Sequence, residues 1–235
     1  MGYIFSIILL YASRHVNLLA AHPPAVVYHK CKMNIKAILF DLGGVLVDWD
    51  GISPLIDLTD GTVTPEQARR FWLESLWVKR FETGSCSDLD FAKGVIKDLN
   101  LNLSPREFIK EFSSWDRGPF KGASEILKKL QKNFQLYCLS NNNRIHWHNP
   151  GIQALLKYFL KTFVSFETGC MKPDPSAFKH VLYHIPETPD KILFIDDNPE
   201  CVKAASKLGL IARQANGLEG VNRVLEDLCS TTTDR

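Results

Sequence analysis

The chain of 235 residues lacks the marks of several large protein classes. Its 6 cysteines, Cys31, Cys86, Cys138, Cys170, Cys201 and Cys229, are widely spaced, with no C-x-x-C pair and no histidine at zinc-finger spacing. That excludes a dense disulfide framework and a structural zinc module, and leaves reduced thiols of a cytoplasmic protein, several of them in the core. Charge of one sign is also missing. With 28 Lys+Arg against 26 Asp+Glu the formal balance is +2, so no broad field exists to hold a nucleic-acid backbone or an anionic membrane. There is no internal repeat, low-complexity tract or long linker. What is present, 45% hydrophobic, 23% charged and 11% aromatic residues, is the composition of a globule large enough to bury a real core.

A hydrophobic run long enough to span a membrane is absent too. The most apolar segment, Tyr3 to Ala12, is broken by Arg14, His15 and Asn17, well short of the roughly 18–20 residues required, so no stable membrane span is expected. Residues 1–32 are expected to be an extension upstream of the domain, with Met33 before Asn34-Ile35-Lys36 as a natural start. A signal or surface anchor ending near Leu19-Ala20-Ala21 is the competing reading, and it lacks the basic residues such a segment begins with. A structural helix is the third.

From Lys36 onward, strand and helix patterns alternate. Ala37 to Phe40 is a short apolar run that stops at Asp41 and a Gly43-Gly44 pair, the pattern of a buried strand entering a tight turn. Similar runs are Phe134 to Leu139, Phe163 to Phe166, Lys191 to Ile195 and, more weakly, Leu210 to Arg213. Helical spacing fills Ala123 to Gln131, Ile152 to Phe159 and Ala177 to His184, the last opened by Asp174-Pro175. Buried strands interleaved with helices predict an α/β fold with a parallel sheet covered on both faces. Between the first strand and Lys121 only helices are expected. Thr64-Pro65-Glu66-Gln67 and Ser104-Pro105-Arg106-Glu107 each open one. The expected organisation is a core of residues 33–48 and 119–235 with a helical insertion over 49–118. Within the insertion Phe71, Trp72, Leu76, Trp77 and Trp115 are expected to form its own core more than to line a pocket.

In an open parallel sheet, ligands bind beyond the carboxyl ends of the strands. The residues there are Asp41, Ser140-Asn141, Lys172 in Gly169-Cys170-Met171-Lys172-Pro173, and Asp196-Asp197-Asn198. Each alone is a common loop or cap residue; their placement on one sheet edge is not. Three carboxylates beside one lysine leave a charge of about −2, which repels itself without a cation, and paired carboxylates on rigid strand ends suit Mg²⁺. With Mg²⁺ and Lys172 in place the site becomes an anion receptor, with Ser140 and turn N–H groups available to phosphate oxygens. Phosphoryl transfer is the chemistry this favours.

In order and spacing, Asp41-Leu-Gly-Gly-Val-Leu-Val-Asp48, Leu139-Ser140-Asn141, Gly169-x-x-Lys172-Pro173 and Phe194-Ile-Asp196-Asp197-Asn198 resemble the four motifs of the haloacid dehalogenase-like hydrolase superfamily. The resemblance covers about Asn34 to Ala215. It implies a Rossmann-like sheet with a small helical cap inserted after the first motif, and is nearest the branch that includes sugar-phosphate phosphatases and the phosphatase domain of soluble epoxide hydrolases. Carried over by position, it makes Asp41 the nucleophile that forms an aspartyl-phosphate. Asp196 and the Gly43 carbonyl become Mg²⁺ ligands, with Asp41 at the same ion and Asp197 bound to it or to its water. Ser140 and Asn141 fall in the phosphate-binding loop, and Lys172 becomes the cation pairing nucleophile with phosphate. A small phosphorylated metabolite, with a sugar phosphate as the expected substrate, is the implied partner, in a monomer or homodimer without nucleic acid.

Two positions depart from the family pattern. Most phosphatases of the superfamily carry a second Asp two residues after the nucleophile as general acid, and Gly43 stands there instead. Asp48, Asp50, a cap residue or water is left to serve. The second departure is milder: the acidic residue four past Asp196 is Glu200, which is expected to reach the metal through water. A missing second Asp also marks the true dehalogenases, which need no metal, so a 2-haloacid dehalogenase is the competing enzyme; the Asp196-Asp197 pair argues against it. A catalytically weak binding module is the alternative of another class, and the presence of Asp41, Lys172 and Asp196 argues against that. His146 and His148 lack a third ligand and are expected to be loop residues near the substrate mouth. Cys138 and Cys170 are expected to pack rather than react.

Overall fold

The computed structural model describes residues 34–229; the expected extension, residues 1–32, lies outside them. Five strands form the main sheet: β1 (Ala37–Phe40), β4 (Gln135–Ser140), β5 (Lys161–Val164), β6 (Ile192–Asp196) and β7 (Ile211–Gln214). Two more, β2 (Val47–Trp49) and β3 (Asp116–Pro119), pair separately. The main sheet is parallel in the order β5-β4-β1-β6-β7. Its central strand is wholly buried, and alternate residues serve opposite faces: Ile38 and Phe40 join one cluster, Ala37 and Leu39 the other.

Both faces are covered. On the first lie α6 (Ala123–Leu130), α8 (Pro150–Leu156) and α12 (Gly217–Cys229), through Ile126, Leu127, Ile152, Leu155, Val221 and Leu225. On the second lie α10 (Pro175–His184) and α11 (Pro199–Lys207), through Phe178, Val181, Cys201 and Ala205. Removing each large side chain from water contributes roughly 1.5–3 kcal/mol against the entropy of ordering the chain. The strands on either side of β1 are reached in opposite directions, β4 first and β6 later, so the carboxyl end of β1 is the switch point at which such sheets bind ligands.

Five helices form the insertion: α1 (Ser53–Leu58), α2 (Pro65–Glu74), α3 (Leu76–Glu82), α4 (Asp88–Leu99) and α5 (Pro105–Ser113). Thr64, Ser87 and Ser104 each close a capping box at the start of a helix. The cap has its own core, in which Phe81 and Phe91 stack with centroids 4.3 Å apart and Phe108, Phe112 and Trp115 pack around them. Of the residues expected there, Trp115 is buried, Phe71, Trp72 and Trp77 pack partly, and Leu76 is exposed; Trp72 also lines the cavity between core and cap.

The expectation of helices alone between the first strand and Lys121 was too simple. β2 and β3 pair antiparallel as a two-stranded stalk carrying the cap. Both are short and broken by polar residues or glycine, Asp48 in one and Asp116, Arg117 and Gly118 in the other, so neither is long enough to show an apolar run or a clean alternation. His146 also departs from the loop reading. It lies buried in the short helix α7 (Arg144–Trp147), and His148 caps that helix. No helix among the described residues is long and apolar enough to cross a membrane.

Candidate active site

The sheet delivers four motif groups to one edge. Asp41 leaves β1 with its N–H on the Ile195 carbonyl, 2.9 Å away, and the next strand, β6, ends in Asp196. The Lys172 ammonium lies between them, 2.8 Å from Asp41 Oδ1 and 2.6 Å from Asp196 Oδ2. All three side chains are buried. Asp197 completes the cluster, since Asp41, Asp196 and Asp197 offer oxygens within 4.8 Å of one another.

Turn chemistry sets this geometry. Gly44 has φ +70°, its carbonyl accepts from Gly217 N–H at 2.7 Å, and a Cβ there would run into the Asp197 carboxylate. Glycine is required on both counts. Gly43 has no such restriction and lies on the cavity wall beside Asp41. Asp196 Oδ1 accepts the Asn198 N–H at 2.8 Å, and Asn198 caps α11.

Lys172 is held by its backbone as well. Asn141 Nδ2 donates to the Lys172 carbonyl and Asn141 Oδ1 accepts the Lys172 N–H, both at 2.8 Å. In this structure Asn141 therefore positions the lysine. Ser140 is buried at the end of β4, and its hydroxyl donates to the Asn141 carbonyl at 3.3 Å. The cavity wall runs through Asn141, Asn142 and Asn143. Ser165 fixes that loop by donating to the Asn142 carbonyl and accepting its N–H, and Asn143 caps α7. Asn142 and Asn143 escaped the sequence reading because loop asparagines are ordinary; only the packing of Ser165 against Asn142 shows that the loop is fixed.

The charges do not cancel. Burial alone would pull the Lys172 ammonium down, but Asp196 and Asp41 hold it well above the ordinary lysine range. Burial also pushes the Asp41 carboxyl up, and Asp196 and Asp197 add to this against the pull of Lys172. Burial and Asp196 raise Asp197 to about 6. Three acids facing one ammonium thus carry an unfavourable excess of negative charge that a divalent cation would relieve. The donor set, all carboxylate oxygen on rigid strand ends, fits Mg²⁺. Cys138 is buried with its thiol pushed far up by burial and by Asp41, so it cannot serve as a thiolate nucleophile.

Beyond this edge opens a cavity of about 1190 Å³ between core and cap. Trp49, Ile52, Trp72, Leu73, Ile152 and Met171 give it apolar walls. Trp72 is fixed by donating its indole N–H to the Gly51 carbonyl at 2.7 Å. Asp50, Glu82, Asp116 and Glu200 also line the same cavity. Glu82 and Asp116 were not singled out by the sequence, where nothing separates them from surface acids.

The sequence profile described as haloacid dehalogenase-like hydrolase matches residues 35–209. The chain belongs to that family. Among curated relatives of this hydrolase, it is 29% identical over 152 residues to flavin mononucleotide hydrolase 1 of Arabidopsis thaliana, covering 60% of this chain and 61% of that protein. It is 25% identical over 189 residues to D-ribitol-5-phosphate phosphatase of Bacteroides thetaiotaomicron, covering 74% of this chain and 89% of that one. Its fold matches that of a family enzyme from B. thetaiotaomicron solved with magnesium and inorganic phosphate, with a TM-score of 0.63 at 27% identity over 77% of this chain and 94% of the other.

Proposed function

We propose that this hydrolase is a Mg²⁺-dependent phosphatase of small phosphorylated metabolites, acting through an aspartyl-phosphate on Asp41. The carrying observation is the Lys172 ammonium 2.8 Å from Asp41 and 2.6 Å from Asp196, beside a third carboxylate at the switch point of the sheet. Asp41, Asp196, Asp197 and the Gly43 carbonyl would hold the ion. When bound, it would offset charge on the phosphate oxygens and let the anion approach a carboxylate nucleophile. Asp41 attacks phosphorus in line with the ester oxygen, while Lys172 steadies both Asp41 and the transferring group. Asn141 keeps the lysine aimed. Water then hydrolyses the acyl phosphate and frees Asp41 and inorganic phosphate.

For the substrate we favour a sugar or sugar-alcohol phosphate. D-ribitol 5-phosphate and flavin mononucleotide, named for two relatives, both carry phosphate on the terminal carbon of a ribityl chain, and the cavity adds aromatic walls next to the charged edge. The 2-haloacid dehalogenase reading is disfavoured because Asp197 beside Asp196 is costly without a cation. The test is hydrolysis of p-nitrophenyl phosphate, D-ribitol 5-phosphate, flavin mononucleotide and other sugar phosphates, with Mg²⁺ and with EDTA. Turnover is expected only with Mg²⁺, and Asp41→Asn is expected to abolish it. Activity that survives EDTA or that substitution rules the mechanism out, and halide release from a 2-haloacid selects the dehalogenase.

A further inference from the structure

We propose that Glu82, brought down by the cap, is the acid that protonates the departing oxygen and afterwards activates water, in place of the carboxylate absent at Gly43. The inference rests on the aspartyl-phosphate reading above.

Glu82 ends α3 and lies on the wall of the cavity that holds Asp41 and Lys172. Its carboxyl has no hydrogen-bond or ion-pair partner among the described residues, and the one charge whose field reaches it is the Lys172 ammonium. A half-buried carboxyl without donors, facing the catalytic lysine, is poorly explained as a structural element. Enclosure pushes it up to about 7, so near neutrality it can carry a proton and give it up. The next turn fixes its position. Gly84 has φ +69°, and a Cβ there would strike the Phe166 carbonyl of α9 (Ser165–Thr168). Arg144 then clasps the cap, donating to the Cys86 carbonyl at 3.3 Å and pairing with Asp88 at 3.6 Å.

Asp48, Asp50 and Asp116 are committed elsewhere, and Glu200 is exposed and pairs with Lys203 at 4.0 Å. Asp48 and Asp50 pair with Arg117 at 3.5 and 3.1 Å. Partial burial raises Asp50, but the Ser53 and Ile52 N–H groups and Arg117 hold it below the usual carboxylate range, which leaves it no proton to donate. Asp116 accepts the Gly118 N–H at 2.7 Å and an Asn149 N–H at 3.3 Å, and its pKa, raised by burial to about 6, owes nothing to Lys172 or Asp41.

The step balances. A bond forms from Asp41 oxygen to phosphorus as the ester P–O bond breaks, and the Glu82 proton goes to the departing oxygen, giving alcohol and a Glu82 carboxylate. That carboxylate takes a proton from water as its oxygen attacks phosphorus, so Asp41 is released and Glu82 is again protonated.

The experiment measures single-turnover phosphorylation by 4-nitrophenyl and phenyl phosphate with Mg²⁺, in the parent enzyme, Glu82→Gln and Asp116→Asn. A nitrophenolate leaves without a proton and a phenolate leaves poorly. In Glu82→Gln the ratio of the two rates is expected to rise by about 100-fold or more, within the range general acids supply. Glu82→Gln is also expected to accumulate an Asp41 phosphoenzyme, releasable by hydroxylamine, from 4-nitrophenyl phosphate. Asp116→Asn is expected to keep the parent ratio. An unchanged ratio in Glu82→Gln, with both rates down together, makes Glu82 structural and overturns the proposal, as does a raised ratio in Asp116→Asn. If Asp41→Asn keeps turnover, the aspartyl-phosphate reading falls and this proposal with it.

Discussion

Two buried residues show how single side chains set the properties of this hydrolase. Lys172 offsets two buried carboxylates at once, so replacing it leaves charge in the interior without a partner. In Lys172→Met without divalent metal, unfolding free energy is expected to drop by about 3–5 kcal/mol, measured by urea titration. His146 joins α7 to the cap. Its Nε2 donates to the Phe112 carbonyl at 2.7 Å, its Nδ1 accepts from the Asn143 amide at 3.2 Å, and its ring lies tilted against that of Phe112, centroids 4.2 Å apart. Both contacts suit the neutral ring, and burial lowers its pKa to about 4. The unfolded chain therefore binds a proton there that the folded one does not. The stability this confers is full above about pH 6.5 and is lost as pH falls toward 4. Between pH 7 and 5 the parent is expected to lose about 1–2 kcal/mol more than His146→Gln, read as the difference between two pH series. Asp41, Glu82 and Asp116, all raised, act in the opposite sense in both proteins and cancel in that difference.

Among the elements, the five strands of the main sheet and their flanking helices were legible because each is an apolar run or a periodic stripe whose burial is forced by composition. β2 and β3 were not, since a short polar stalk is stabilised by pairing and by the cap it carries rather than by local pattern. The capping boxes Thr64–Gln67 and Ser104–Glu107 were readable because both halves lie three residues apart in the chain. The contact of α3 with α9 is different: Gly84 meets Phe166 across a sequence gap that no local rule bridges. Gly84→Ala is expected to cost about 1–2 kcal/mol in urea unfolding, from strain at positive φ and the lost approach. Its rate with phenyl phosphate is expected to fall by about 10-fold or more as Glu82 shifts from the cavity.

Seen whole, the molecule has three hydrophobic clusters, one on each face of the sheet and one in the cap, with a charged edge where sheet and cap meet. On the proposed reading, the excess of carboxylate at that edge would make the folded state a receptor for a divalent cation, while the unfolded chain has no such cluster. Mg²⁺ at 100 times its dissociation constant is therefore expected to stabilise the fold by about 2.7 kcal/mol, a shift of several degrees in Tm by thermal denaturation. Asp196→Asn is expected to lose that response.

The order of four motifs and the positions of Asp41, Ser140, Asn141, Asp196 and Asp197 at strand ends could be read from the sequence, because a strand that must be buried ends where its apolar run ends; Lys172, eight residues past β5 and beyond α9, was placed by its motif. Their distances could not, nor could the choice between a lysine poised for phosphate and one already paired with two acids. The replacement for the missing acid at Gly43 was equally invisible. The role proposed for Glu82 depends on the cap packing over the sheet so that its carboxyl is half-buried on the cavity wall, and that is a property of two packed surfaces rather than of any stretch of chain.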